Sequence, residues 1–202
     1  MSRHLVMLSG GADSVFALLD AIERGGEITI CHVVFGHSCR KEMERKSASD
    51  IANHVMANIA PGRVRFIESF VTLPGYAHRD LLFLIGIAHN EAALSATHQN
   101  PYTDIWFGDG EISGEPNDYL AVDRNMKEIF RLMCDPVYHR SLISNPPEIH
   151  SQTATGLSKQ AARERIGEKL WSMTWGCRCP VRGRPCGHCK TCKERAETHA
   201  PD

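Results

Sequence analysis

This 202-residue chain has no apolar run near the roughly 18 residues that a membrane-spanning helix requires, so no membrane crossing is expected. It has no surplus of charge: 23 basic residues face 24 acidic ones, for a formal net charge of -1. Such a balance excludes a protein that clings to nucleic acid through its overall field, although a local basic patch survives that exclusion. Internal repeats and low-complexity segments are missing, which excludes repeat architectures. No apolar leader precedes the first strand-like run, since Met1-Ser2-Arg3-His4 leads directly into it. A reducing cytoplasm is therefore the expected location, and disulfides are disfavoured there. At this length, with 42% hydrophobic residues, one substantial core is expected and no second large domain fits.

Against those absences stands Ser9-Gly10-Gly11-Ala12-Asp13-Ser14. The apolar run Leu5-Val6-Met7-Leu8 precedes it, and Val15, Leu18, Leu19 and Ile22 follow at helical spacing. Strand, glycine loop and helix form the context of a phosphate site: glycines let the backbone turn and expose N–H groups, the helix adds its positive end, and Ser9 and Ser14 carry hydroxyl donors. The loop lacks the lysine of a Walker sequence and the third glycine of a dinucleotide fingerprint.

The carboxyl end holds Cys177-x8-Cys186-x2-Cys189-x2-Cys192, with Cys179 inside the first gap and Gly187 between two of the cysteines. Four thiolates at such spacing suit one tetrahedral Zn2+ in a closed, structural site. An iron–sulfur cluster and disulfides are the alternatives, and Cys179 and His188 are spare ligand candidates. Arg178, Arg182, Arg184, Lys190, Lys193 and Arg195 crowd the same tail against Glu194, a patch for an anionic ligand, a partner or RNA, or else solvated charge around a metal knuckle.

Between these ends, strand-like runs alternate with helical patterns, the signature of an α/β fold with a parallel sheet covered on both faces. Strands are expected at 28–35, 64–70 and 104–108. Helices are expected from Arg40 to about Ile59, with Met43, Ile51, Val55 and Ile59 inward, and from about Asp80, with Leu81, Leu84, Ile85, Ala88 and Ala92 on one side. A further helix carries Met126, Ile129, Phe130 and Met133, and a last one runs from about Ser158 to Leu170. Pro136 and Pro146-Pro147 mark a connection between those two. The Gly/Pro-rich loop at 108–116 follows a strand's carboxyl end, where ligands dock in open α/β sheets. Residues 1–170 are expected to form the nucleotide-binding domain and 171–202 a small metal-binding segment packed on it, with Trp171 and Trp175 at the junction.

The loop Ser9–Ser14 resembles the PP-loop of the ATP pyrophosphatases. Together with the cysteine tail, it makes the chain similar to the 7-cyano-7-deazaguanine (preQ0) synthases over nearly its whole length. Phe35-Gly36-His37-Ser38-Cys39-Arg40 lies where that family has an aromatic-x-Gln-Arg-His stretch, His78-Arg79-Asp80-Leu81-Leu82-Phe83-Leu84 resembles its Gly-Arg-Asn-x-x-Phe-Leu helix start, and Lys159 sits at its lysine before the cysteines. The resemblance implies a Rossmann-like, adenine nucleotide α-hydrolase-like fold. It also implies ATP-dependent conversion of 7-carboxy-7-deazaguanine with ammonia to preQ0, releasing AMP and pyrophosphate, with ATP, Mg2+ and Zn2+ as cofactors. Residues Ser9, Gly10, Gly11, Ala12, Asp13 and Ser14 would hold the nucleotide. Asp13, Ser14, Lys159 and Arg79 would serve catalysis, and Cys177, Cys186, Cys189 and Cys192 the metal. A homodimer is the general expectation for such an enzyme.

The pocket sequence departs from the family. Where its members have Asp-x-Ser-Gly-Tyr-Pro-Asp-Cys-Arg, this chain has Glu111-Ile112-Ser113-Gly114-Glu115-Pro116-Asn117-Asp118-Tyr119, with Asp123-Arg124 as the nearest substitute for the lost acid and base. A site built to hydrogen-bond one base rejects analogues strongly, so changes there redirect the acceptor. A divergent member that passes an adenylated deazaguanine or related acid to a protein or nucleic acid, in phage DNA modification or defence, is the second reading. A non-catalytic nucleotide-binding module is the third. His37 and Cys39 fall beside the expected site, whereas Cys31 and His32 read as strand packing.

Overall fold

The computed structural model of the chain describes residues 2–72, 80–108, 116–135, 143–151 and 159–198. Strand β1 (Arg3–Met7) lies at the centre, β2 (Glu27–Phe35) and β3 (Val64–Val71) continue to one side, and β4 (Asp104–Phe107) and β5 (Glu148–Ser151) to the other. All neighbours pair parallel in the order β3-β2-β1-β4-β5. The order reverses between β1 and β4, and the crevice outside the carboxyl ends of these two strands is where open α/β sheets take ligands. The α/β, Rossmann-like class expected from the sequence is the one observed.

Alternation along the strands divides the interior into two cores. Val6, Leu8, Ile28 and Ile30 point to one face, where α1 (Ala12–Arg24), α2 (Lys41–His54), α5 (Lys159–Ile166) and α6 (Glu168–Met173) supply Val15, Leu18, Ile51, Ala52, Ala162 and Trp171. Leu5, Met7, Cys31, Val33 and Ile105 point to the other, against Ile85 and Ala88 of α3 (Asp80–Thr97) and Met126 and Phe130 of α4 (Pro116–Cys134). Each fully buried aliphatic or aromatic side chain there contributes about 1.5–3 kcal/mol of transfer free energy. Burial pushes the Cys31 thiol up to about 12, as suits a core side chain.

Several elements differ from expectation. The helix after β2 ends at His54 and continues as one π-helical turn, Val55–Ile59; the wider turn carries Ile59 outward, to 39% exposure, although Val55 and Ile51 are buried as expected. The last expected helix is two, because Gly167 takes a left-handed φ of 79° and restarts the chain as α6. Residue 170 thus falls inside a helix whose Leu170 and Trp171 both enter the core. Strand β5 was read only as proline-marked connection: in Glu-Ile-His-Ser one apolar side chain gives no periodic signal, and pairing with β4 alone defines it. The cysteine tail contains a further helix, α7 (Lys190–Glu197).

The amino edge of the sheet is held by ion pairs. Asp104 accepts hydrogen bonds from Thr103 Oγ1 (2.6 Å) and His150 Nε2 (2.8 Å), and lies 3.3 Å from His4 Nδ1 and 3.4 Å from Arg24. Burial would raise its pKa, but the Thr103 and His150 bonds and the two histidines outweigh burial and hold it below the ordinary value. Trp106 stacks on His150 at 4.1 Å, and Arg24 lies over the Trp106 ring at 4.9 Å. Ligand atoms of Asp104, Glu148 and His150 approach within 4.8 Å of one another. Arg24 and His150 already supply that carboxylate with its counter-charge and donors, so the group reads as a clasp for the edge strand.

Candidate nucleotide site and cysteine cluster

The loop Ser9–Gly11 leaves β1 at the carboxyl edge and enters α1. Gly10 has φ +85°, and a Cβ there would come 2.9 Å from Glu44 O and 3.0 Å from Ser47, so α2 leaves room for glycine only. Gly11 is the N-cap and brings no side chain to the first N–H groups of the helix, which leaves that end open to an anion. Ser14 is buried; its Oγ donates to Gly11 O (2.9 Å) and accepts from Ser9 N (3.2 Å), with Ser9 Oγ 3.1 Å away. Ser9 is exposed and accepts from Gly11 N through its Oγ at 3.3 Å. In this geometry Ser14 braces the loop from below while Ser9 is the hydroxyl at the surface. Asp13 lies in the first turn of α1, partly buried.

Gly108, immediately after β4, closes the other wall. A Cβ on it would lie 2.1 Å from Ser14 Cα and 2.2 Å from Ser14 N, so β4 can end against the start of α1 only with glycine there. Below the loop, Leu8 N donates to Cys31 O (2.9 Å) and Leu8 O accepts from His32 Nδ1 (2.8 Å). His32 is 2% exposed, and burial lowers its pKa from the ordinary histidine value. Beside the loop, Lys41 Nζ donates to Gly36 O (3.2 Å) and His37 packs edge-on against Phe35, with Cys39 exposed at the same edge.

Arg79, the segment 109–115 and the other residues from 73 to 79 lie outside the described residues, and Lys159 is described only as the first residue of α5. What the sequence did not signal is how much of the loop's support comes from far away in the chain. Ser47 Oγ lies 2.9 Å from Gly10 O and 2.6 Å from Met173 O, and Trp175 N donates to Gly10 O at 2.8 Å. Ser47, Ala48 and Ala52 are the small buried residues of α2 that permit this close approach.

At the other end of the same strap, Cys177, Cys186, Cys189 and Cys192 bring their sulfurs within 4.8 Å of one another, and all are free thiols. Cys179 is exposed outside this group. Backbone N–H groups turn toward the sulfurs: Cys186 N donates to Cys177 Sγ and Cys189 N to Cys186 Sγ, both at 3.3 Å. Burial raises the Cys189 thiol, but N–H bonds from Arg178 and Cys192 outweigh it and bring it down to about 6, whereas burial foremost pushes Cys192 up to about 12. Four thiols this close ionise together only around a cation. Arg195, counted above with the basic patch, is instead an anchor: it donates to Thr174 O (2.9 Å) and Trp171 O (2.8 Å) and lies over the Trp171 ring at 5.1 Å.

Residues 3–73 match the family model of the queuosine biosynthesis protein QueC. That stretch is β1-α1-β2-α2-β3, the half of the sheet bearing the glycine loop, and it agrees with the resemblance to the preQ0 synthases carried by Ser9–Ser14 and the cysteine tail. The match supports ATP-dependent PP-loop chemistry for this QueC-like chain. No curated protein matches it. Among solved structures, U34-tRNA thiolase NcsA from Methanococcus maripaludis, determined with its 4Fe-4S cluster, is similar at a TM-score of 0.48 and 10% identity, over 98% of this chain and 64% of that one. This chain thus spans less than two thirds of the thiolase. Among the described residues no helix is long and apolar enough to cross a membrane.

Proposed function

We propose that the chain adenylates a carboxylic acid of the 7-carboxy-7-deazaguanine class and converts it, with ammonia, to the nitrile. The observation that carries this reading is the loop Ser9–Ser14, with every fixed letter of the PP-loop, at the strand-order reversal between β1 and β4. In the reaction, the substrate carboxylate attacks the α-phosphorus of ATP and pyrophosphate leaves. Ammonia then displaces AMP to give the amide. The amide oxygen then attacks the α-phosphorus of a second ATP, releasing pyrophosphate, and loss of both N–H protons and of AMP leaves the nitrile.

Charge on the departing pyrophosphate would be met by the N–H groups of Gly10 to Asp13, by Ser9 Oγ and by Mg2+ arriving with ATP, which Asp13 would help hold. Ser14 keeps those N–H groups in place. Arg79 and Lys159 are proposed as clamps for phosphate or carboxylate. The proposed domain division, with residues 1–170 for the nucleotide and 171–202 for the metal, follows this assignment of roles.

The four cysteines fit a single Zn2+: with bonds of about 2.3 Å, a tetrahedral ion wants sulfurs about 3.8 Å apart, and Cys186 and Cys192 are at 4.0 Å. Zinc would supply structure, closing the tail as a staple. One zinc per chain is expected by elemental analysis, and iron with acid-labile sulfide in its place would overturn the zinc assignment.

The altered segment Glu111–Tyr119 favours a second reading in which the adenylate is delivered to a nucleic acid or protein. Purified protein incubated with ATP, Mg2+, ammonium and 7-carboxy-7-deazaguanine, followed by mass spectrometry of both nucleotide and deazapurine, separates the two. Nitrile with AMP and pyrophosphate supports the synthase, and an accumulated adenylate supports the second reading. Untouched acid and ATP overturn both for this acid.

A further inference from the structure

The chain runs from α6 to the cysteines through Thr174-Trp175-Gly176, and this short strap touches the nucleotide loop and the cysteine cluster at once. On the loop side, Trp175 N donates to Gly10 O at 2.8 Å, and the Ser47 hydroxyl lies between Gly10 O and Met173 O, 2.9 and 2.6 Å away. On the cysteine side, Trp175 Nε1 donates to Cys177 O at 3.1 Å. Arg195, one turn after Cys192 on α7, donates to both Thr174 O and Thr174 Oγ1 at 2.9 Å. At Gly176 a Cβ would meet Thr191 Cγ2 of the same helix at 2.8 Å, so α7 packs directly on the strap. The strap is thus bonded to α7 on one side and to Gly10 on the other.

We propose that Ser47 and residues 174–176 are positioning elements of the phosphate loop, through which metal loading of Cys177, Cys186, Cys189 and Cys192 sets nucleotide affinity. The inference rests on the reading of Ser9–Ser14 as an ATP site. Four cysteines without an ion have only weak thiol contacts to hold α7 against the strap; with an ion they fix Cys177, and through it Gly176 and Trp175. Gly10 would then keep the φ of +85° that aims the following N–H groups. Coupling carried by packed hydrogen bonds of this kind amounts to roughly 5–150-fold in affinity.

The test compares full-length protein loaded with zinc and stripped by chelator, wild type and Ser47→Ala, reading both amide hydrogen exchange at residues 9–14 and the affinity for ATP with Mg2+. Stripping is expected to speed exchange at residues 9–14 and to weaken ATP binding about tenfold, with β1, β2 and β4 still protected. Loaded Ser47→Ala should show the same two changes and respond less to stripping than wild type does. Exchange at residues 9–14 that is unmoved in loaded Ser47→Ala overturns the proposal even if stripping unfolds the chain. So does a Ser47→Ala change that adds in full to the effect of stripping. If loaded wild type binds no ATP, the nucleotide reading fails, while the exchange data still report whether cysteines and loop are coupled.

Discussion

At the amino edge of the sheet, Asp104 is surrounded by groups that satisfy it: Thr103, His150, His4 and Arg24 all lie within 3.4 Å. At the carboxyl edge, the same two central strands run into close-packed glycines, Gly10 in the loop after β1 and Gly108 directly after β4, where a Cβ would meet Ser47 and Ser14. Both edges join β1 to β4. One spends its polar groups on itself and thereby clasps the short strand β5. The other has its side chains, Ser14 and Ser47, brace the loop from beneath, so that the donors above are left for a ligand. A polar cluster saturated by its own protein contributes stability, whereas one supported from below and open above is built to bind.

The contrast breaks most sharply at Gly108. Gly108→Ala forces a Cβ against the backbone of Ser14, so we expect a loss of about 4 kcal/mol or more in denaturant unfolding, together with loss of ATP binding. A soluble variant with normal nucleotide affinity would show that the two walls can part without consequence. Asp13→Ala should do the opposite, lowering pyrophosphate release by about a hundredfold or more while the melting temperature stays put; undiminished release would remove Asp13 from the phosphate chemistry.

Asp104→Asn should cost about 1–3 kcal/mol of stability with ATP affinity unchanged, which would sharpen the separation of the two edges. The same carboxylate gives a pH signature. Its folded pKa lies below its unfolded one, so its contribution is present above the ordinary carboxylate value of 3.8 and is lost as the pH falls through the lower folded value. Asp104→Asn should flatten the acid limb of the stability curve; an unaltered limb would mean other carboxylates dominate it.

The smallest expected effect is at His32. Burial depresses its pKa, so the unfolded chain takes up a proton near 6.5 that the folded chain refuses. Stability is complete above that pH and declines below it. His32→Gln should reduce the decline between pH 7 and 5 by a modest amount, with any shift in ATP affinity reporting on the Leu8 carbonyl that His32 supports. Parallel unfolding curves for the two proteins at both pH values would refute the assignment.

The sequence by itself determined the class of this protein and the strand–glycine loop–helix unit at its start. Leu5–Leu8, the glycine loop and the apolar stripe of α1 are consecutive, and consecutive patterns are governed by local geometry. It also brought Cys186, Cys189 and Cys192 together, because gaps of two residues turn neighbouring cysteines onto one point, whereas the choice of Cys177 over Cys179 as their fourth was made by the fold. Only the tertiary structure decided that Ile59 faces outward on a π-helical turn, that Gly167 divides the last helix, and that Glu148–Ser151 is a strand at all. The last depends on β4, more than forty residues away, and the first two on a local backbone choice that periodicity does not encode. The roles of Ser47, Trp175 and Arg195 toward Gly10 O, Met173 O and Thr174 O likewise came from folding: a serine on a helix face, a tryptophan at a junction and an arginine in a basic tail acquire them from the carbonyls placed beside them.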